Sequence, residues 1–478
     1  MLAALVLASS PAHAEEALTL TRVLELAVEA NPALVRARLD QDASQASVVS
    51  SRGIFDPSLS VDGSWRTSQS KGFFQGFPFT SSSRSWRLAS DVSHTLGTGT
   101  TYALNASMDR NYSSFVTNLG VGDTERIQDA FTSNLSVSVT QQLLEGMRLA
   151  YNMRNVTRAL QDVDRKDLAA EKAVQDALSQ ATSAFWTWTY QVSLHAIAEQ
   201  SESVAAEALR VGQAQLQTGR IAPVEATRLE AALVQAQKNT LDAEIAARRA
   251  GDDLALLVGL QPGVDRVPSS GDAVANVAVP SVDEAIEVAL AQNLDLALAR
   301  AEVDFAEVDV ENARHARLPS LSATASAGVG AQQDSVGAAI EGLTQPDAFP
   351  FFAVSGRLDV PLGNRAARGE AERAAVTRSQ RQAGVVELER SVSAQVAQQV
   401  RQLQASAKRI ELAEANARLA EQTLSAEEAL ADAGRSIQKT VLEARAEVAR
   451  TAAEVEKART DHLLARTELL RLQGLLGR

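Results

Sequence analysis

Two residue types that often perform catalysis or bind metals are poorly represented in this chain, because cysteine is absent and histidine is scarce. It has 478 residues, no cysteine and five histidines, so disulfides, thiolate metal sites and a lipidated N-terminal cysteine are excluded. His195 and His315 stand alone on predicted helices, which is typical of packed or surface residues rather than of ligands. Gly328-Val329-Gly330 lacks the context of a nucleotide-binding loop, and neither a P-loop motif nor an H-E-x-x-H motif occurs. We therefore expect no enzyme, no cofactor and no metal site.

The composition favours long helices packed through small side chains. Hydrophobic residues make up 45% of the chain, but aromatic residues only 4%. The net charge of -13 argues against nucleic acid as the main partner. Phe185, Trp186, Trp188 and Tyr190 cluster within one helical stretch. We predict that they form a packing belt between helices, with a ligand-stacking platform as the alternative.

The N-terminus predicts export. Residues 1–10 form a short apolar run, and Ala12-His13-Ala14 fits a cleavage pattern of small residues. We therefore expect residues 1–14 to be a signal peptide cleaved after Ala14, although a frayed apolar N-terminus would look similar. No other stretch of the sequence reaches 18 consecutive apolar residues.

The chain repeats itself in tandem. Residues 20–40 align with residues 282–302 at an offset of 262, so that Asn31 matches Asn293. Gly219-Arg220 matches Gly434-Arg435 at an offset of 215. We therefore predict two structural repeats, 15–258 and 282–478, joined by an equatorial linker that is rich in Gly, Pro and Ser (259–281).

The sequence of each repeat predicts the same order of elements: a helix, strands, a very long helix, a turn and a medium helix. Residues 19–53 and 281–317 are each expected to form one helix. In the second long helix, apolar residues from Val385 to Leu424 recur about every 3.5 residues, which is the coiled-coil period. The remaining ranges are strands at about 57–140 and 319–360, long helices at about 146–217 and 364–432, tips at 218–223 and 433–438, and final helices at 224–258 and 439–473.

Between the helices the hydrophobic period changes to two. The apolar residues Leu59, Val61 and Trp65 alternate with polar residues, and five further segments repeat the pattern. Such segments are typical of outer-membrane strands around a wet lumen, although a half-buried soluble sheet gives the same pattern. Six strands cannot enclose a useful pore, and lipid does not tolerate open sheet edges. Strands in a membrane would therefore require several copies of the chain.

Several motifs, in a fixed and duplicated order, resemble the TolC family of outer-membrane efflux proteins. They are the Gly-Arg turns, the V-L-x-A stretch at 441–444, the Leu18 to Pro32 pattern with its Asn-Pro end, and Gln142 to Gly146 before the long helix. The resemblance covers essentially the whole mature chain.

The resemblance implies an α+β membrane channel-tunnel. Tandem-duplicated, long coiled-coil α-hairpins would form a periplasmic α-barrel, and antiparallel β-strands would contribute to a trimeric outer-membrane β-barrel. Such a homotrimer is the exit duct of a tripartite efflux pump or a type I secretion system. It would contact outer-membrane lipid, a periplasmic adaptor and an inner-membrane transporter of the RND, ABC or MFS type. A periplasmic adaptor-like protein and a trimeric coiled-coil adhesin are the alternatives.

The resemblance also implies two kinds of functional residue at the helix tips. Gly219, Arg220, Gly434 and Arg435 would dock the adaptor. Glu443, Glu225 and Arg435 would gate the periplasmic pore entrance, and three copies of Glu443 would favour cations there. The family's earlier mouth carboxylate is replaced by Thr440, and its latching arginine and tyrosine by Ser436 and Ala431. Ordinary solvated charges are the alternative reading of Glu443 and Glu225.

The first repeat departs from the family pattern of four strands per chain. Its strand region is about twice as long as that of the second, with an inserted turn at 96–100. We predict six strands per chain and an eighteen-stranded barrel. The alternative keeps twelve strands and folds residues 67–110 as an external loop or plug.

Overall fold

The structure is a computed structural model that describes residues 16–74, 76–118, 122–269, 279–346, 348–433, 435 and 438–476. The predicted signal peptide, including Ala14, lies outside these residues. Helices dominate the fold, and two of them, with 64 and 68 residues, exceed any ordinary globular helix. The helices are α1 (Leu20–Ala30), α2 (Pro32–Arg52), α3 (Leu149–Asn152), α4 (Arg154–Gln217), α5 (Pro223–Leu257), α6 (Val282–Gln292), α7 (Leu294–His315), α8 (Val336–Gly342), α9 (Arg365–Asp432) and α10 (Gln438–Leu472).

The strands form one small and one large sheet. The small sheet pairs two four-residue strands in parallel, and the second of them lies within the predicted linker. The large sheet is antiparallel throughout, in the order β2-β3-β4-β5-β7-β8. The strands are β1 (Glu16–Thr19), β2 (Ser58–Phe74), β3 (Phe77–Thr95), β4 (Thr100–Asn118), β5 (Asp123–Gln142), β6 (Arg266–Ser269), β7 (Ser320–Gln333) and β8 (Phe349–Asp359).

Among the described residues, the large sheet contains six strands, as predicted. The inserted turn lies where it is expected, with the Leu96 amide donating to the Thr100 carbonyl at 2.8 Å and Gly99 in the left-handed region at φ 77°. The alternative, a loop or plug at 67–110, is wrong, because nearly all of that stretch belongs to β2, β3 and β4.

The first helix of each repeat is broken, which corrects the prediction of single helices at 19–53 and 281–317. Both breaks fall at the matched asparagines, which have extended backbone. The Asn31 side chain accepts from the Ala33 amide at 2.8 Å, and that of Asn293 from the Leu296 amide at 3.0 Å. Each asparagine thus caps the following helix, and Pro32 also disfavours helical backbone at Asn31.

The chain divides into two compact units. The first comprises Met1–Asp42, Arg165–Arg300 and Ala383–Arg478; the second comprises Ala43–Asp164 and Ala301–Gln382. The core of the first unit confirms the aromatic packing belt for three of its four predicted members, whereas Tyr190 is half-buried. Phe185, Trp186 and Trp188 are buried there, and Phe185 meets both indole rings edge-on.

The central part of the predicted coiled-coil seam of α9 is also buried in the first unit, whereas its ends at Val385 and Leu424 are half-buried. Val392, Val396, Val400 and Leu403 pack with residues of α6, α7 and α10. Among the helices of the described residues, none contains a stretch that is both long enough and apolar enough to cross a membrane.

The tandem repeat is visible in how its helices end. After α5 and α10, the amides of Leu260 and Leu475 donate to the carbonyls five residues earlier, at 2.8 and 2.9 Å. The preceding glycines, Gly259 and Gly474, have φ 72° and 69°. This is the Schellman geometry, in which glycine takes the left-handed position without a steric penalty. The two repeats therefore share not only their order but also their local stereochemistry.

Candidate functional site: an apolar sheet face and two helix tips

One face of the large sheet is apolar and exposed. The strand register brings alternate residues of all six strands to this face, and Trp65 and Phe352 there are 73% and 74% exposed. An exposed apolar surface of this extent is rare on soluble proteins and matches the lipid side of outer-membrane strands. Its large members include Leu59, Val61, Trp65, Leu88, Val92, Leu104, Leu135, Val137, Phe352, Val354 and Leu358.

The opposite face of the same sheet is polar. Arg87 and Asp109 form an ion pair across β3 and β4 at 3.6 Å. Hydroxyl groups pair between neighbouring strands, as in Ser68 with Ser83 at 2.7 Å and Thr140 with Thr324 at 2.9 Å. A sheet with one apolar and one hydrated face is suited to separate lipid from a water-filled lumen.

The two outer strands of this sheet remain open. Within the described residues, β2 pairs only with β3, and β8 pairs only with β7. Their free edges carry backbone N–H and C=O groups along strands of 17 and 11 residues. Such groups must be satisfied in lipid, because each unpaired group costs several kcal/mol there. The sheet of one chain is therefore an incomplete membrane structure.

The first helix tip is a tight turn between α4 and α5. Gly219 has φ 72°, and the Arg220 amide donates to the Gln215 carbonyl at 2.9 Å. Pro223 then begins α5, where its missing N–H costs nothing. Both predicted docking residues, Gly219 and Arg220, are exposed in this turn.

The second tip has the same construction. The Arg435 amide donates to the Leu430 carbonyl at 2.8 Å, which repeats the five-residue step of the first tip. Arg435 is exposed, whereas Gly434 lies outside the described residues. Both turns belong to the first unit.

The predicted gate residues lie close to these tips. Glu225 is in the first turn of α5 and accepts from Arg228 on the same helix at 2.7 Å. Its role in gating the entrance, together with Arg435, stays a prediction. Glu443 is exposed in α10, between the buried side chains of Val441 and Ala444. Further along α10, the hydrogen bond from Arg450 lowers the pKa of the Glu447 carboxyl below its usual value.

Sequence reasoning missed the polar contacts that hold α9 against α10. Arg445 donates to Glu428 at 2.9 Å near the second tip, and Arg459 donates to Glu414 at 2.9 Å further along. Their partners are 17 and 45 residues apart in sequence, so no local motif reveals them. The hairpin that presents Glu443 is thus braced by charge pairs inside one chain.

The described part of the chain contains no group of three or more His, Asp or Glu side chains arranged to hold a metal ion. The features that stand out are surfaces: an apolar face, a polar face and two exposed turns.

Comparison with known proteins defines this class of molecule. The sequence profile of the outer membrane efflux protein family matches residues 23–260 and 285–475. The chain therefore belongs to the outer membrane efflux protein family, as the resemblance predicted. No curated protein matches it significantly.

Solved structures share its fold at low identity. A membrane protein from Pseudomonas aeruginosa matches with 16% identity and a TM-score of 0.70, covering 96% of this chain and 91% of its own. The CmeC outer membrane channel of Campylobacter jejuni matches with 13% identity and a TM-score of 0.69, covering 95% and 85%. The outer membrane protein VceC of Vibrio cholerae matches with 16% identity and a TM-score of 0.67, covering 95% and 96%.

Membership in this family indicates the general function of the protein. The protein is an efflux channel of the outer membrane with a large periplasmic portion, and it belongs to efflux systems that include partner pumps. Members of this family are channels and not enzymes.

Proposed function

We propose that three copies of this chain form an exit duct for a tripartite efflux pump or a type I secretion system. Each copy contributes six strands, so the trimer closes an eighteen-stranded barrel in the outer membrane. The paired helical hairpins form an α-barrel in the periplasm. Substrates then pass through passively, and a partner transporter supplies the energy.

The observation that carries this proposal is the sheet with one apolar face and two free edges. Pairing β2 of one copy with β8 of the next satisfies both edges and leaves only the apolar face in contact with lipid. Eighteen strands leave an aqueous lumen, whereas six cannot enclose one. The polar face of the sheet would line that lumen.

The two tips form the periplasmic mouth in this arrangement. Gly219 and Arg220, with Gly434 and Arg435, would contact a periplasmic adaptor protein that connects the duct to an RND, ABC or MFS transporter. Glu443, Glu225 and Arg435 would control the entrance. Their position beside exposed turns at the far ends of α4 and α9 supports this assignment.

Cysteine cross-linking tests the assembly, because the chain has no cysteine of its own. Val61→Cys in β2 is combined in turn with Phe352→Cys, Val354→Cys or Leu358→Cys in β8. Within one chain these strands are five strand spacings apart, about 24 Å, which no disulfide can span. We expect one of the combinations to give covalent dimers and trimers on oxidation.

Val61→Cys combined with Val137→Cys is the matched control, because β5 is an interior strand and offers no free edge. Three results together would contradict the proposal. The protein would stay a single subunit in detergent, form no cross-link at any of the three positions and conduct no ions across a planar bilayer. Photo-crosslinking in cells from position 220 or 435 would identify the adaptor.

A further inference from the structure

A short helix lies against the apolar face of the large sheet. This is α8, which belongs to the connection between β7 and β8. Ser335 caps it, its side chain accepting from the Ala338 amide. The connection follows the end of β7 that is opposite to the strand ends leading into α4 and α9, so in the proposed duct it is on the extracellular side.

The contacts of α8 with the sheet are close and mostly apolar. The Ser133 hydroxyl of β5 donates to the Ala339 carbonyl, and Ser133, Ala331 and Ala339 are only 2%, 3% and 0% exposed. A Cβ atom on Gly342 would come within 2.9 Å of the Ala331 Cβ, so a glycine permits the close approach. By register, Ser133 and Ala331 point to the same face as Leu135 and Val137.

The outer side of α8 carries two exposed apolar side chains, together with the exposed carboxylate of Glu341. Val336 and Ile340 are four residues apart, hence on one side of the helix, and they are 40% and 54% exposed. Two exposed apolar residues are ordinary on a soluble surface. Here they extend the apolar surface of the sheet, which borders lipid in the proposed duct. Lipid is therefore the expected neighbour of Val336 and Ile340.

At the position along β5 where α8 packs, the side chains on the apolar face change from aliphatic to aromatic and charged. Towards the helices, β5 presents Leu135 and Val137 on this face. Towards the hairpin tips, it presents Phe131 and Asp129. Arg110 binds both oxygens of the Asp129 carboxylate at 2.8 and 3.0 Å, and its guanidinium lies 5.2 Å from the Phe131 ring centre. Aromatic and charged residues of this kind mark the membrane–water interface of outer-membrane strands.

We propose that α8 is a membrane-interface helix, whose Val336 and Ile340 pack against lipid acyl chains of the outer leaflet just below its headgroups. A neighbouring copy is a poorer occupant, because α8 lies over the interior strands β5 and β7 rather than at a free edge. The inference rests on the proposed function in one respect, namely that the apolar sheet face borders lipid.

Site-directed spin labelling tests this inference on the full chain. Single variants Val336→Cys and Ile340→Cys carry a nitroxide, and the protein is reconstituted in vesicles of phosphatidylethanolamine and phosphatidylglycerol. Collisions with oxygen, which concentrates in hydrocarbon, are compared with collisions with a water-soluble nickel chelate. We expect the oxygen-to-nickel ratio at both positions to exceed that of Arg220→Cys, in the first tip, several-fold.

Two outcomes overturn the inference. A ratio equal to that of Arg220→Cys places α8 in water, and a label that neither reagent reaches places it under a second copy. Val137→Cys on the sheet separates this failure from that of the proposed function. If position 137 is in hydrocarbon but positions 336 and 340 are not, only the assignment of α8 is wrong; if position 137 is also in water, the sheet does not border lipid.

Discussion

The Ser406 hydroxyl lies 2.9 Å from Nδ1 of His462 and joins α9 to α10 inside their packed seam. Ser406 is fully buried and also donates to the Leu403 carbonyl of its own helix. Burial lowers the pKa of the His462 imidazole below its ordinary value of 6.5, and the nearby Arg466 charge lowers it further, against a hydrogen bond with Leu403 that raises it. The hairpin that presents Glu443 thus contains a titratable contact.

The first prediction concerns the pH dependence of stability. Because the folded pKa of His462 is depressed, the unfolded chain binds more protons as pH falls through about 6.5, and the folded state loses stability in that window. The contribution is fully present above that pH. The melting temperature of the helices, followed by circular dichroism in detergent, should fall less on acidification in His462→Gln than in the parent protein.

His195→Gln is the control for this measurement, because His195 lies on α4 beside Glu199 and not in the α9–α10 seam. It should retain the acid sensitivity of the parent. Equal acid sensitivity in the parent and in His462→Gln would show that the seam histidine does not control it.

The second prediction concerns packing in the seam of α9. Val396→Ala removes two methyl groups from a fully buried position and should cost about 2 kcal/mol in the free energy of unfolding. Val386→Ala, at an exposed position of the same helix, should change it by less than about 0.5 kcal/mol. Thermal unfolding at one scan rate compares the two. Equal effects would mean that the seam does not carry the packing energy.

The third prediction uses two glycines with opposite backbone requirements. Gly219→Ala forces a side chain into the left-handed region at φ 72° and should destabilise the first tip by about 1 kcal/mol. Gly384→Ala, in the middle of α9 with open space around the new methyl group, should stabilise by about 1 kcal/mol. Melting temperatures should therefore move in opposite directions. A shift of the same sign in both would contradict the assigned turn.

The fourth prediction tests the proposed entrance. Glu443→Gln removes three negative charges from the mouth of a trimer and should weaken cation preference and cation block in planar-bilayer recordings. Glu25→Gln, at an exposed position of α1 that pairs with Arg22, is the control for a change of charge elsewhere. Unchanged selectivity in Glu443→Gln would assign Glu443 to the ordinary solvated charges of α10.

The sequence by itself determined the features that depend on local periodicity. The seam at Val392, Val396 and Val400 follows from a repeat of 3.5 residues, and the two sheet faces follow from alternation along each strand. Gly219, Gly259 and Gly474 mark helix ends because a left-handed residue there favours glycine. These properties need only neighbouring residues, so the repeats, the strand number and the family could be predicted.

Only the tertiary structure decided the contacts between distant parts of the chain. Ser133 meets Ala339 from 206 residues away, and Ser406 meets His462 from 56. Such pairs depend on where α8 packs on the sheet and on the positions of α9 and α10 relative to each other along their axes. The residue types in the sequence do not determine either position. The break at Asn293 shows the same limit: no proline follows it, and its side-chain amide donates to the Leu472 carbonyl of α10. A helical pattern continues through that residue, and its side chain combines a local cap of α7 with a contact to α10 that the sequence does not reveal.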